Sequence, residues 1–162
     1  MAHSFFEKKE VLASADPRLE LDFHSTRGYV CAWASRFETS IAAYSRALEL
    51  AEWLDDCAEV TVITSNLVMG LVRRGDCVAA LEIAQKGVAW RLRMGEAEGA
   101  GLAMSQQILA MLLIRMARHD QALVAAEAAL GSLRAAPWRL RSTCETTLAT
   151  VWLSLGRCDL AR

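Results

Sequence analysis

The sequence is poor in residues that interrupt helices. It has only two prolines and nine glycines in 162 residues. Pro17 and Pro137 stand just ahead of apolar-periodic stretches, where the first turn of a helix tolerates proline. Alternation of β-branched and other residues, the usual strand signal, is confined to residues 60–64. We interpret that window as helix because both flanks are helical, and we predict an all-α fold.

Cysteine pairs and long apolar runs are also missing. The five cysteines are an odd number and contain no Cys-x-x-Cys, which favours a reducing compartment and predicts a cytoplasmic protein. Residues 1–10 lack the apolar core of a secretory signal. The richest apolar run, residues 108–114, ends at Arg115 and is too short to cross a bilayer. No membrane partner is predicted.

The charges are nearly balanced, with 18 basic and 19 acidic side chains and a net charge of −1. Proteins that bind nucleic acids usually present a dense basic face, so this balance disfavours a nucleic-acid partner. Arg134, Arg139 and Arg141 form a local basic cluster. We interpret the cluster as a solvated loop between helices rather than a phosphate site.

Residues that carry catalysis are scarce. None of His3, His24 and His119 has a nucleophile and an acid at a known spacing; His119 is interpreted as a ring packed at a helix start. Asp55 and Asp56 are adjacent, and neighbours on a helix diverge, so we expect a solvated helix end rather than a metal pair. No glycine-rich phosphate loop is present. We predict a protein that is not an enzyme and holds no cofactor or metal.

The sequence does contain an internal repeat of about forty residues. Tight turns begin at Ser35, Gly75, Ala117 and Gly156. A small residue follows each turn start by five positions: Ser40, Ala80, Ala122 and Ala161. Fixed-period repetition of a helix, a turn and a helix predicts a stacked array of hairpins. The small residues are predicted to be buried where two helices cross at close distance.

The repeat divides the chain into five segments. Residues 1–17 form a lead-in with a short helix, and residues 18–162 form the array. Its repeats span approximately 18–56, 57–95, 96–136 and 137–162, the last incomplete. Since no proline closes a repeat, the links between repeats are predicted to be helical or made by glycine.

The incomplete fourth repeat predicts an apolar end. Leu148, Trp152 and Leu155 would lack the second helix that should cover them. Exposed apolar surface is unfavourable by about 25 cal/mol per Å². We therefore expect either a fragment of a longer protein or self-association through this uncapped repeat.

The pattern resembles the tetratricopeptide repeat (TPR) family, in a long-repeat variety. Like that family, it has a small residue in the first helix of several hairpins (Gly28, Ala110, Ala149), small crossing residues, and glycine at two turns. The spacing of about 40 residues differs from the common 34. The resemblance implies an α-α superhelix, a TPR-like solenoid of antiparallel helical hairpins. A different all-helical bundle is the alternative fold.

The resemblance also implies a partner-binding groove lined by the first helix of each hairpin. Projected onto this chain, the groove positions are Asp22, Ser25, Tyr29 and Trp33 in the first hairpin, Val62, Ser65, Asn66, Met69 and Arg73 in the second, Met104, Gln107, Met111 and Arg115 in the third, and Thr146 and Thr150 in the fourth. Of these, the residues predicted to contact the partner are Tyr29, Trp33, Asn66, Met69, Arg73, Gln107, Met111 and Arg115. Tyr29, Met69 and Met111 share one repeat position and predict an apolar strip. The alternative is that these methionines and aromatics are core residues. Only Asn66 matches the subgroup that grips the carboxylate end of chaperone tails, which disfavours that ligand.

Two functions remain open from the sequence. The first is a non-catalytic protein–protein interaction module that binds a peptide or helix in the concave groove of a TPR array, as a scaffold does. The alternative is the sensory or regulatory repeat arm of a larger bacterial signalling or transcription-regulator protein. The residues do not identify the partner.

Overall fold

A computed structural model of the protein describes residues 16–95, 98–133 and 138–157. Within these ranges the chain forms seven α-helices and no strand. The helices are α1 (Pro17–Trp33), α2 (Phe37–Trp53), α3 (Cys57–Arg74), α4 (Cys77–Arg93), α5 (Ala100–Arg115), α6 (His119–Gly131) and α7 (Trp138–Ser154). The all-α prediction is confirmed, and the strand-like window 60–64 lies inside α3. The predicted helix near the N-terminus, Pro137, Cys158 and Ala161 lie outside the described residues.

The helices group into two compact units, Met1–Asp76 and Cys77–Arg162, called here the N-terminal and C-terminal units. In the N-terminal unit α1 packs on α2 and α2 on α3, and α1 also touches α3. In the C-terminal unit each helix from α4 to α7 packs on the next, and α5 touches α7. Consecutive helices joined by short turns run antiparallel, so two of the predicted helical hairpins, α1 with α2 and α5 with α6, are present, one in each unit. The boundary between the units falls inside the predicted second repeat, 57–95.

Several helices end in the same turn geometry. At the end of α1, Ser35 has a left-handed φ of 56°. Its N–H donates to the Ala32 carbonyl at 3.1 Å, and the Arg36 N–H donates to the Cys31 carbonyl at 2.9 Å. These two bonds are the Schellman motif, which satisfies carbonyls left free at a helix end. The second bond recurs from Asp56 to Ala51, Asp76 to Leu71, Arg118 to Leu113 and Arg157 to Trp152.

The link between the first two predicted repeats is made by aspartate. Asp55 adopts the left-handed conformation, with φ of 53°, between the end of α2 and the start of α3. The prediction of a helical or glycine-made link is therefore wrong here. Aspartate visits this region because its short polar side chain can bond locally. At the next link, Gly95 has φ of 81°, so that link does use glycine.

Helices α1 and α2 meet at a glycine. A β-carbon added to Gly28 would lie 2.8 Å from ring carbons of Tyr44, closer than carbon atoms can approach without a shift. The Ser40 hydroxyl donates to the Gly28 carbonyl at 2.8 Å in this buried contact. Ser40, Ala80 and Ala122 are all fully buried, which confirms the predicted burial of the small residues at the three described positions.

The C-terminal unit has a small core near the start of α5. Ala103, Ala129, Leu133 and Cys144 form a buried cluster. Further along α7, Leu148 is buried, whereas Trp152 and Leu155 are half-buried. The prediction that Leu148 lacks cover is therefore wrong. The helices α5 and α6 pack against α7, so burial of this helix does not depend on a single following partner.

Candidate binding clefts

The N-terminal unit carries a cleft of about 180 Å³, the N-terminal cleft, with α1 and α3 at its sides and α2 behind them. Its lining residues are Tyr29, Ala32, Trp33, Phe37, Tyr44, Asn66, Met69, Gly70 and Arg73. Five of the nine groove residues predicted in this unit are among them, whereas Asp22, Ser25, Val62 and Ser65 do not line the cleft. The structure therefore brings together residues that the sequence places on two different helices.

The apolar side chains of the N-terminal cleft face solvent. Trp33 is 76% exposed and Met69 is 50% exposed, so the alternative that they are core residues is wrong. Tyr29 is also exposed, and its ring meets the Trp33 ring edge-on, with centroids 6.1 Å apart. Such edge-to-face pairs are a preferred aromatic geometry. The cleft thus presents two oriented rings and a flexible methionine.

The polar groups of the N-terminal cleft are few. Arg73 is the one charged residue of its lining, and it makes no ion pair with the described residues. Asn66 is half-buried. Tyr44 forms the floor and is 2% exposed; burial raises the pKa of its phenol, and the nearby Tyr29 adds to the rise. A neutral, mostly apolar cleft with one cation at its edge can hold an apolar side chain beside a hydrogen-bond acceptor.

The C-terminal unit carries a larger cleft of about 490 Å³, the C-terminal cleft, between α5 and α7. Its lining residues are Gln107, Met111, Ile114, Arg115, Ser142, Thr143, Thr146, Thr147 and Thr150. Three of the four groove residues predicted on α5 lie here, together with Thr146 and Thr150 of the fourth hairpin, whereas Met104 does not line the cleft. The volume falls in the range of ordinary ligand pockets.

Gln107 joins the two walls of the C-terminal cleft. Its side chain is 93% buried, being 7% exposed. Its amide nitrogen donates to Thr147 Oγ1 at 3.3 Å and to Met111 Sδ at 3.0 Å. Met111 is nevertheless 46% exposed, and Arg115 makes no ion pair with the described residues. The α5 wall therefore offers one apolar side chain and one cation.

The α7 wall is a row of hydroxyls that the sequence analysis found only in part. Thr146 and Thr150 were predicted, whereas Ser142, Thr143 and Thr147 were missed. The signal was present, because these residues follow one another at the i, i+4 spacing that places side chains on one face of a helix. It went unread because the repeat pattern assigns fewer groove positions to each hairpin.

Comparison with known proteins shows a likeness of fold. No family model matches this sequence, and no curated protein matches it. Among solved structures, the crystal structure of BtubC (BKLC) from P. vanneervenii is similar, with a TM-score of 0.79 and 20% sequence identity. The match covers 99% of this chain and 67% of that chain. At this identity the likeness shows the fold alone.

The remaining acidic candidates, Asp55 and Asp56, have roles in the fold rather than in a site. Asp56 is the N-cap of α3, and its carboxylate accepts from the Glu59 N–H at 3.0 Å and pairs with Arg18. The Glu59 N–H and then Arg18 lower the pKa of Asp56. Asp55 is exposed in the turn. Among the described residues no group of three His, Cys, Asp or Glu side chains could hold a metal ion.

The other candidates also make local contacts within the fold. His119 is half-buried at the start of α6, in agreement with a ring packed at a helix start. Arg139 stacks 5.5 Å over the Trp138 ring, and Arg141 donates to the Leu133 carbonyl at 2.7 Å. Arg134 lies outside the described residues. Arg139 and Arg141 are exposed and lie in the first turn of α7, so the interpretation of the cluster as a loop between helices is wrong for these two residues. In the part of the chain that is described, no helix has the length and apolar character to cross a membrane.

Proposed function

We propose that this chain is a non-catalytic protein–protein interaction module of the TPR type. It binds peptide segments of a partner protein in the clefts between the first helices of neighbouring hairpins, and it acts as a scaffold in the reducing environment of the cytoplasm. The observation that carries the proposal is the overlap between the residues chosen by repeat position and the residues that line the clefts. Of the fifteen groove residues chosen from repeat position, ten line one of two clefts, and these ten include all eight that are predicted to contact the partner.

The chemistry of the clefts supports binding rather than catalysis. Exposed tryptophan, tyrosine and methionine are the side chains that contribute most contact area to protein interfaces. Each cleft adds one arginine, a residue enriched in the same interfaces. Neither lining contains a histidine, cysteine or carboxylate, so neither offers a nucleophile with a base beside it. The regulatory-arm alternative stays a prediction of the sequence.

Panning of a random twelve-residue phage-displayed library on the full chain tests the proposal. Selected peptides are synthesised, and their affinities are compared for wild type, Tyr29→Ala and Met111→Ala. We expect each peptide to bind at least about fivefold more weakly to one of the two variants, because truncation of an interface residue that matters costs more than about 1 kcal/mol. Circular dichroism should show unchanged helicity for both variants.

Val124→Ala is the matched control. Val124 is an exposed apolar residue on α6 and lines neither cleft. Its truncation should leave every affinity unchanged. Peptides that bind all four chains equally, or a library that yields no binder, would contradict the proposed function.

A further inference from the structure

The threonine hydroxyls of the C-terminal cleft already donate their hydrogens to carbonyls of α7. Thr143, Thr146, Thr147 and Thr150 each place the hydroxyl oxygen 2.8 to 3.0 Å from the carbonyl oxygen four residues earlier. A carbonyl can only accept, so the hydroxyl must donate in every case. What each threonine can offer to a ligand is therefore a pair of acceptor lone pairs and a methyl group.

One of these acceptors is already occupied by an N–H group of the chain itself. Thr147 Oγ1 accepts from the Gln107 amide nitrogen at 3.3 Å, which shows the kind of group that this wall receives. The second Gln107 contact is to Met111 Sδ, so the amide hydrogens face protein acceptors. The hydrogen bonds of the described residues include no donor to Gln107 Oε1. It is a further acceptor in the lining.

The free acceptors are spaced to suit a peptide backbone. Thr146 and Thr150 are both exposed and lie one above the other on α7, about 6 Å apart along the axis. In an extended chain the N–H groups on one edge recur at alternate residues, about 6.7 Å apart. Two main-chain N–H groups of a strand-like ligand can therefore reach both hydroxyl oxygens at once.

We propose that the C-terminal cleft binds an extended peptide segment by its main-chain N–H groups, with Thr146 Oγ1 and Thr150 Oγ1 as the acceptors and Met111 against an apolar side chain. This inference rests on the proposed function and narrows its partner. A helical ligand is excluded because its N–H groups are bonded internally. A cationic side chain is disfavoured because Arg115 is the one charged residue of the lining.

Backbone N-methylation tests the proposal directly. Peptides from the library are first sorted for dependence on Met111, and each backbone nitrogen of such a peptide is then methylated in turn. We expect methylation at two alternate residues to weaken binding to wild type about three- to tenfold each, the range for one net hydrogen bond. The same methylations should have no effect on the Thr146→Val/Thr150→Val chain, which keeps the side-chain shape but lacks the acceptors.

Ser154→Ala is the control for loss of a hydroxyl. The Ser154 hydroxyl makes the same bond to the carbonyl four residues earlier on α7 but does not line the cleft. Removal of this hydroxyl should not change which backbone methylations weaken peptide binding. Peptides that depend on Met111 but tolerate every methylation, or that bind the double valine chain as wild type, overturn this inference and leave the proposed function standing. If the library yields only peptides that depend on Tyr29, this inference is likewise overturned and the proposed function stands.

Discussion

Single small residues determine how closely helices approach in this protein. The ring of Tyr44 lies where the later hairpins have Ala84 and Ala126, and the glycine at position 28 makes room for it. In the third hairpin, alanine occupies both corresponding positions, Ala110 and Ala126. The first hairpin thus pairs glycine with a large buried ring, whereas the third hairpin has a buried alanine at both positions.

Gly28→Ala should therefore destabilise the N-terminal unit. The added methyl group would overlap the buried Tyr44 ring, and overpacking of this kind costs about 1–3 kcal/mol. In a Tyr44→Ala background the same change should cost nothing or become stabilising, because alanine is favoured over glycine inside a helix by up to about 1 kcal/mol. Urea denaturation of the four chains of this cycle gives the coupling free energy. Equal costs in both backgrounds would contradict the contact.

Asp56 combines two contacts that can be separated by mutation. Its carboxylate caps α3 through the Glu59 N–H, and it also pairs with Arg18 at the start of α1. Asparagine caps a helix about as well as aspartate but carries no charge. Asp56→Asn therefore removes the ion pair alone, whereas Asp56→Ala removes the cap as well, at an additional cost of about 1 kcal/mol.

The stability difference between wild type and Asp56→Asn should depend on pH. The pKa of Asp56 is lowered in the folded chain, first by the Glu59 N–H and then by Arg18. A lowered pKa stabilises the fold above the unfolded value of about 3.9, and the stabilisation is lost as the pH falls through the folded pKa. Urea denaturation should show wild type more stable at pH 7 and the two chains converging at lower pH. A difference that is constant with pH would rule out the charged contact.

At the scale of the helices, the turns are more uniform than the sequence suggests. Five connections share the same bond to the carbonyl five residues earlier, although the left-handed position holds serine, aspartate, alanine or glycine. The turn starts could be predicted because they recur at a fixed period. The Asp55 link could not, because it does not recur and no glycine marks it. Helix packing stabilises the left-handed backbone at Asp55, although the position lacks the glycine that would favour this conformation locally.

Ala117→Gly should stabilise the C-terminal unit. Ala117 has a φ of 56°, a conformation that costs a residue with a β-carbon about 1–2 kcal/mol. Glycine removes this strain but loses more backbone entropy on folding, so a net gain of about 0.5–1 kcal/mol is expected. The reverse change, Gly75→Ala at φ of 90°, should destabilise by a similar amount. Thermal unfolding of both variants measures the two effects, and equal midpoints for all chains would refute the strain.

Across the whole molecule, periodicity explains what the sequence could predict of the candidate site. A residue's place in the repeat fixes the helix face on which it lies, so ten of the fifteen projected groove residues do line a cleft. Position does not fix the hydrogen-bond state of a side chain. That Gln107 spans the C-terminal cleft depends on its contact with Thr147, which is distant in sequence. That Thr146 and Thr150 present acceptors depends on side-chain orientations that bond each hydroxyl to the carbonyl four residues earlier.

The balanced charge of the molecule makes a final prediction about its ligands. The net charge is −1 and each cleft is lined by a single cation, so peptide binding should owe little to long-range attraction. An exposed ion pair is worth at most about 1 kcal/mol and is screened by salt. Raising NaCl from about 50 to 500 mM should therefore weaken the selected peptides less than about fivefold.

Fluorescence anisotropy across this salt range provides the measurement, and Arg73→Gln and Arg115→Gln are the matched controls. Each variant should abolish the residual salt dependence of the peptides that bind its own cleft and leave the other peptides unchanged. A nucleic-acid site behaves differently, because neutralising six to ten phosphates costs about 10³–10⁵ in affinity between 50 and 200 mM salt. A slope of that steepness, or displacement of the peptides by duplex DNA, would show that charge has been underestimated and that the partner is a polyanion.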